Sequence, residues 1–170
     1  MFEIRQENVN DYNEVYNVVK EAFEKEEHSD GDEQDLIVRL RKSSSFVPEL
    51  SLVAETEDKI IGYILFTEVK IGNSAELALA PLAVLPEYQR KGVGRSLIQE
   101  GHRIAKRLGY NYSVVLGNPK YYSKEGYIPA SKYNIKPPFD VENEFFMAVK
   151  LNENAMSISG TVQYDKAFGI

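Results

Sequence analysis

Apolar residues recur along the chain at two different spacings, which predict an alternation of strands and helices. Repeats at every third or fourth position predict amphipathic helices, whereas alternating or continuous apolar runs predict strands. The predicted strands cover residues 2–6, 51–55, 60–69, 76–85, 112–116, 126–131 and 145–151, and the predicted helices cover residues 12–23, 36–42, 90–108 and 120–124. This order is typical of an α/β protein built on one sheet.

The run from 76 to 85 is the most apolar of the predicted strands and leads directly into a glycine-containing loop. Pro81 lies within it and has no N–H to donate, so the strand must be bulged or have an open edge there. Gly92 and Gly94 allow the backbone to come close to a ligand, and a helix follows at once. Free N–H groups and positive charge at that helix N-terminus predict a seat for a phosphate or pyrophosphate.

Three loop patterns can bind phosphates in this way, and two of them do not fit the sequence. A Walker A loop requires Gly-Lys followed by Ser or Thr, which the loop lacks. A dinucleotide-binding turn requires a third glycine where Leu97 stands. The third pattern, Q/R-x-x-G-x-G/A after an apolar strand, is matched by residues 89–94. The strand, loop and helix resemble the acetyl-CoA loop of the GNAT N-acetyltransferase superfamily.

The resemblance covers residues 2–151 and implies a fold. The expected architecture is the GNAT acyl-CoA N-acyltransferase fold of the α/β (α+β) class, with a mixed central sheet of about six to seven strands flanked by helices. Strands 4 and 5 are expected to splay apart into a V-shaped gap. We expect residues 1–170 to form one N-acetyltransferase domain, with a core at 2–151 and a C-terminal extension at 152–170.

The resemblance also implies which residues hold the cofactor. The pantetheine arm of acetyl-CoA is expected along the open edge of the central strand and its pyrophosphate on the loop amides. A backbone N–H near Val84 is then placed to polarise the thioester carbonyl. The cofactor-binding residues implied in this way are Leu82, Ala83, Val84, Gln89, Arg90, Lys91, Gly92, Val93, Gly94, Arg95, Ser96, Asn118 and Tyr121.

A second stretch, residues 118–127, resembles the family pattern N-x-x-x-F-Y-x-x-x-G-F with a shortened spacing. Tyr122 falls at the tyrosine that faces the cofactor sulfur, which implies that it is the general acid for the departing thiolate. The competing interpretation is that Tyr121 and Tyr122 are packing residues, since the chain has eleven tyrosines. Asn118 is a cofactor contact or a turn residue.

The general base is less clearly marked in the sequence. Some members of the resembled family use a glutamate on the central strand, and Ala78 stands at the matching position here. Glu76 lies two residues earlier on the same face of the strand, and it is therefore the candidate base. Glu68 and a chain of water molecules are alternatives for the base. If Glu76 has no catalytic role, it is a solvated carboxylate at the end of the strand.

Composition narrows the classes of function further. The 170 residues include no cysteine and two histidines, so thiol nucleophiles are excluded and no metal site is expected. A formal net charge of −6 disfavours nucleic-acid binding but favours attraction of a cationic substrate. The N-terminus resembles no signal peptide and no apolar run reaches membrane-spanning length, so we expect a cytoplasmic protein without membrane association.

The function implied is transfer of an acetyl group from acetyl-CoA to a primary amine by direct attack. The alternatives are a non-catalytic acyl-CoA-binding or sensing module and, less well matched, a nucleotide-binding protein. Acidic residues at 24–35 form either a solvated segment or a lip that attracts the amine. The family also implies a possible homodimer.

Overall fold

The computed structural model describes all 170 residues and contains a nine-stranded sheet with helices packed against it. The strands are β1 (Glu3–Gln6), β2 (Phe46–Thr56), β3 (Lys59–Ile71), β4 (Ser74–Val84), β5 (Tyr112–Leu116), β6 (Ile128–Pro129), β7 (Ile135–Lys136), β8 (Phe146–Lys150) and β9 (Gly160–Gln163). The helices are α1 (Tyr12–Phe23), α2 (Glu33–Arg41), α3 (Val93–Arg107) and the single turn α4 (Pro119–Tyr122). No helix combines the length and the apolar character required to cross a membrane.

The main path of the sheet has the order β1-β2-β3-β4-β5-β8-β6, so its seven strands agree with the predicted number. Neighbours on this path are antiparallel except for β4 and β5, which run parallel. This mixed sheet confirms the predicted fold class. The short strands β7 and β9 were not predicted, because two to four residues carry too little periodicity to be recognised.

The parallel pair β4 and β5 stays together over only two register positions, Leu77 opposite Ser113 and Ala78 opposite Val114. β4 continues beyond this point, from Leu79 to Val84, with β3 as its sole strand partner. The gap expected between strands 4 and 5 is therefore present. The pairing of β3 with β4 is also irregular opposite Pro81, as its missing N–H predicted.

Helix α3 begins at Val93, three residues later than predicted. Arg90 and Gly92 have positive φ angles of 63° and 87°, a left-handed conformation that cannot continue a right-handed helix. The predicted apolar face is otherwise correct and packs on the sheet. Gly101 allows close approach, because a Cβ there would lie 2.2 Å from a ring carbon of Phe66 on β3.

A buried ion pair fixes helix α2 to the segment that follows β1. The guanidinium of Arg41 donates to both carboxylate oxygens of Glu7, at 2.9 and 2.7 Å. Ser51 donates to the same carboxylate and also contacts the hydroxyl of Tyr63, each at 2.6 Å. Because every charged group in this network has a partner, α2 is held firmly relative to β2 and β3.

The C-terminal segment packs on the core. β9 pairs with the end of β3, through Lys70 opposite Gln163 and Ile71 opposite Val162. Ser45 donates to the carboxylate of Asp165 at 2.9 Å. The predicted strand at 126–131 is shorter than expected, because residues 130–133 form a 3₁₀ turn after β6.

Candidate functional site

A cavity of about 690 Å³ opens where β4 and β5 part, and it continues over the loop before α3. Its walls come from the end of α1, the start of α2, the two parted strands, the loop and the segment after β5. The lining residues that were predicted from the sequence are Leu82, Val84, Gln89, Arg90, Gly92, Val93, Gly94, Arg95, Asn118, Tyr121 and Tyr122. Residues that are distant in sequence are thus brought to one site.

Six successive backbone N–H groups at the loop, from Arg90 to Arg95, donate to no acceptor within the protein. The first N–H groups of a helix lack intrahelical partners. The left-handed turn at Arg90 and Gly92 also leaves the N–H groups just before the helix unpaired. Together with the helix dipole, these donors form a site suited to a phosphate group.

The loop is joined to β4 by a side chain. The Gln89 amide donates to the carbonyl oxygen of Val84 at 3.1 Å, which ties the end of the strand to the start of the loop. Lys91 does not line the cavity, and its ammonium lies 5.7 Å from the centre of the Tyr88 ring. Tyr88, which sequence reasoning missed, forms part of the cavity wall.

Two other predicted cofactor residues do not line the cavity. Ala83 is 2% exposed and belongs to the hydrophobic core. Ser96 donates its N–H to the carbonyl of Gly92 at 3.0 Å, which closes the first turn of α3. The alternation of side chains along a strand explains Ala83, because its neighbours Leu82 and Val84 face the other way.

Gly94 and Gly117 each provide room for a tyrosine ring. A Cβ at Gly94 would lie 2.3 Å from the hydroxyl oxygen of Tyr121, so that hydroxyl rests on the first turn of α3. A Cβ at Gly117 would lie 2.4 Å from a ring carbon of Tyr122. The absence of both side chains therefore lets Tyr121 and Tyr122 pack over the cavity, with their ring centres 5.0 Å apart.

Tyr122 lies at the wall formed by β5 and the segment that follows it. Its ring packs edge-on against buried Tyr127, with 5.7 Å between the ring centres. Burial is the main cause that raises the pKa of Tyr122 above the ordinary tyrosine value. Like an ordinary tyrosine hydroxyl, that of Tyr122 is protonated at neutral pH and can act as a hydrogen-bond or proton donor.

The carboxylate of Glu76 does not line the cavity and is already occupied. Its Oε1 accepts from the N–H groups of Asn111 and Tyr112, at 2.9 and 3.0 Å, and its Oε2 accepts from Ser74 at 2.7 Å. Glu76 is 1% exposed. Its position therefore does not support the predicted role as general base; it bridges β4 to the start of β5, below the point where they part.

Asn118 caps α4, because its side-chain oxygen accepts from the N–H of Lys120 at 2.9 Å. This bond supports the turn interpretation, and the residue also lines the cavity. Its amide is therefore placed between the end of β5 and the turn that carries Tyr121 and Tyr122.

The end of the cavity near α1 and α2 combines acidic and apolar side chains. Glu26 and Glu33, both in the acidic segment at 24–35, line it together with Phe23 and Leu36. Both carboxylate oxygens of Glu33 accept from Ser29, at 2.7 and 2.8 Å, which orients that group. Sequence charge alone indicated this segment but did not identify which of its carboxylates reach the cavity.

Similarity to known proteins agrees with this geometry. The sequence model of the Acetyltransferase (GNAT) family matches residues 12–127. The Escherichia coli (strain K12) protein YjhQ, an uncharacterised N-acetyltransferase, is 34% identical over 139 residues, which cover 77% of each chain.

Two solved structures of similar proteins contain CoA or acetyl-CoA. The crystal structure of the GNAT family N-acetyltransferase YhbS from Escherichia coli in complex with CoA has a TM-score of 0.90 and 28% identity, covering 99% of this chain and 92% of that one. A GNAT family acetyltransferase from Brucella melitensis in complex with acetyl-CoA has a TM-score of 0.81 and 29% identity, covering 99% and 98%. With a family match that spans more than half of its length, the chain is a member of the GNAT acetyltransferase family.

Proposed function

We propose that the protein transfers the acetyl group of acetyl-CoA to a primary amine by direct attack, without a covalent enzyme intermediate. One observation carries this proposal: the loop at residues 90–95 has six unpaired N–H groups, and five of its six residues line the same cavity as the parted strands and Tyr122. A diphosphate bound at the loop aims the pantetheine arm along the free edge of β4. The complexes of the relatives with CoA and acetyl-CoA support the choice of cofactor.

In this proposal the chain's own groups carry out three tasks. Backbone N–H groups on the free edge of β4 stabilise the negative charge that develops on the thioester oxygen during attack. The hydroxyl of Tyr122, which is protonated at neutral pH, donates a proton to the departing thiolate. Glu26 and Glu33 attract the ammonium form of the acceptor and receive its proton, directly or through water.

Calorimetry with acetyl-CoA, followed by a thiol-release assay with a panel of primary amines, tests the proposal. We expect saturable binding with one site per chain and amine-dependent release of free CoA. Failure of acetyl-CoA to bind would contradict the proposed cofactor. Binding without thiol release for any amine would instead favour the non-catalytic acyl-CoA-binding alternative.

A further inference from the structure

Glu125 is a buried carboxylate with a single charged partner. Its side chain is 4% exposed, and its Oε1 lies 3.1 Å from Nε of Arg95, whose side chain is 68% exposed. These two atoms are close enough for an ion pair but are not aligned as a hydrogen bond, and Oε1 has no other polar partner. Because burying an unpaired carboxylate is unfavourable, Arg95 is the group that stabilises Glu125 in this position.

Arg95 is at the same time part of the cofactor cavity. It is the third residue of α3, its N–H is one of the six unpaired donors, and the residue lines the cavity. A guanidinium has five N–H donors in a fixed plane, so contact of Nε with Glu125 leaves both terminal nitrogens available on the opposite side. A phosphate is the ligand that this fork binds best.

We propose that Glu125 is a positioning residue, which orients Arg95 toward a phosphate group of coenzyme A. An exposed arginine loses considerable side-chain entropy when a ligand immobilises it. Glu125 removes part of that cost by restricting Arg95 before the cofactor arrives. The inference rests on the proposed function, since it assumes that coenzyme A is the ligand.

The same pair joins two parts of the site. Arg95 belongs to the phosphate-binding end, whereas Glu125 lies three residues after Tyr122. The contact of the Tyr121 hydroxyl with Gly94 is a second link between these segments. A phosphate bound at Arg95 therefore also fixes the segment that carries the proposed acid.

The test compares Glu125→Gln with the wild-type protein, using calorimetric dissociation constants for CoA, dephospho-CoA and pantetheine. Glutamine retains the shape of the side chain but loses the charge that holds Arg95. We expect CoA to bind threefold to tenfold more weakly to Glu125→Gln, whereas binding of pantetheine, which has no phosphate, remains unchanged. If Glu125→Gln also weakens the binding of dephospho-CoA, the phosphate group that Arg95 contacts is the pyrophosphate. If dephospho-CoA binding is unchanged, that group is the 3′-phosphate.

A double-mutant cycle completes the test. In an Arg95→Ala background, Glu125→Gln should no longer weaken CoA binding, because the residue it positions is absent. Unchanged or tighter CoA binding in the single variant would overturn the inference, and so would an equal loss for CoA and pantetheine, which indicates a purely structural role. If wild-type protein fails to bind CoA, it is the proposed function that fails instead.

Discussion

Ala78 of β4 and Val114 of β5 form the last backbone pair between these two strands, and from the next residue onward the strands are separate. The pairs between β5 and β8 continue to Leu116, and β4 keeps pairing with β3 to Val84. Each strand thus remains supported from its outer side while the gap opens between them. Backbone pairing on the outer side of each strand therefore supports the gap and limits the backbone rearrangement that binding requires.

We predict that Tyr122→Phe lowers kcat by about 100-fold, with acetyl-CoA binding changed less than threefold, because the substitution removes only the proposed proton donor. Steady-state kinetics with an accepted amine and calorimetry with acetyl-CoA provide the two measurements. Tyr121→Phe, the same change on the adjacent ring, is the matched control and should retain kcat within about threefold.

The pH profile gives a second test of Tyr122. Because burial raises its pKa, the hydroxyl stays protonated beyond the range in which an ordinary tyrosine ionises, and loss of activity from its ionisation is expected only above about pH 10. If Tyr122→Phe retains wild-type kcat at every pH, Tyr122 is not the acid.

Substitutions of Glu76 test whether its carboxylate has a structural or a catalytic role. Glu76→Gln retains an oxygen that accepts from Asn111 and Tyr112, so we expect a kcat within about threefold of wild type. Glu76→Ala leaves the buried N–H of Tyr112 and the partly buried N–H of Asn111 without partners and should lower the free energy of unfolding by about 3 kcal/mol. Denaturant unfolding and steady-state kinetics measure both. A kcat reduced 100-fold in a stable Glu76→Gln protein would restore the base assignment.

Glu76 also illustrates which features of the site can be predicted from the sequence and which cannot. The loop at 89–94 was predictable because its pattern is contiguous and its neighbours are an apolar strand and a helix. Two of the three partners of Glu76 lie 35 and 36 residues away, and Glu125 lies 30 residues from Arg95. Such pairs depend on the register between strands and on the packing of α3, which local periodicity does not specify.

Because Tyr121 packs on Gly94, the effect of Gly94→Ala on the free energy of unfolding should depend on whether the Tyr121 hydroxyl is present. Alanine has a higher helix propensity than glycine, by up to about 1 kcal/mol. In the wild-type background, the new Cβ displaces the Tyr121 hydroxyl, so Gly94→Ala should not stabilise the protein and should weaken CoA binding.

In a Tyr121→Phe background the nearest remaining ring atom lies 3.6 Å from that Cβ, which is an ordinary contact. Gly94→Ala should then raise the free energy of unfolding by roughly 0.5 kcal/mol. Denaturant unfolding of the four proteins measures this difference. The same effect of Gly94→Ala in both backgrounds would show that the hydroxyl does not limit the space.

The acidic residues that line the cavity, Glu26 and Glu33, should affect KM for the amine acceptor and not KM for acetyl-CoA. Removing one carboxylate in Glu26→Gln or Glu33→Gln is expected to raise KM for a cationic amine about threefold to tenfold, since a charge pair in a partly exposed site contributes about 1 kcal/mol. KM for acetyl-CoA should stay unchanged. Glu27→Gln is the matched control, because Glu27 is exposed and does not line the cavity. An equal effect of all three variants would indicate only long-range attraction.

Burial of His102 should make the stability of the folded protein decrease at acidic pH. Its ring contacts the hydroxyl of buried Tyr127 at 3.0 Å and lies beside Phe66, and burial lowers the pKa of His102 to about 4. An unfolded histidine binds a proton below about pH 6.5, whereas the folded protein does not until about pH 4. The unfolded state therefore gains protons first as the pH falls, and the native state loses stability over this window.

We expect this one group to reduce the free energy of unfolding by about 3 kcal/mol between neutral pH and pH 4. Other groups titrate in the same range, so the measurement is the difference between wild type and His102→Gln, which keeps a polar partner for Tyr127 but cannot be protonated. Urea unfolding at several pH values should give curves of stability against pH that converge as the pH falls from 6.5 to 4. Parallel curves would mean that His102 is not held neutral by the fold.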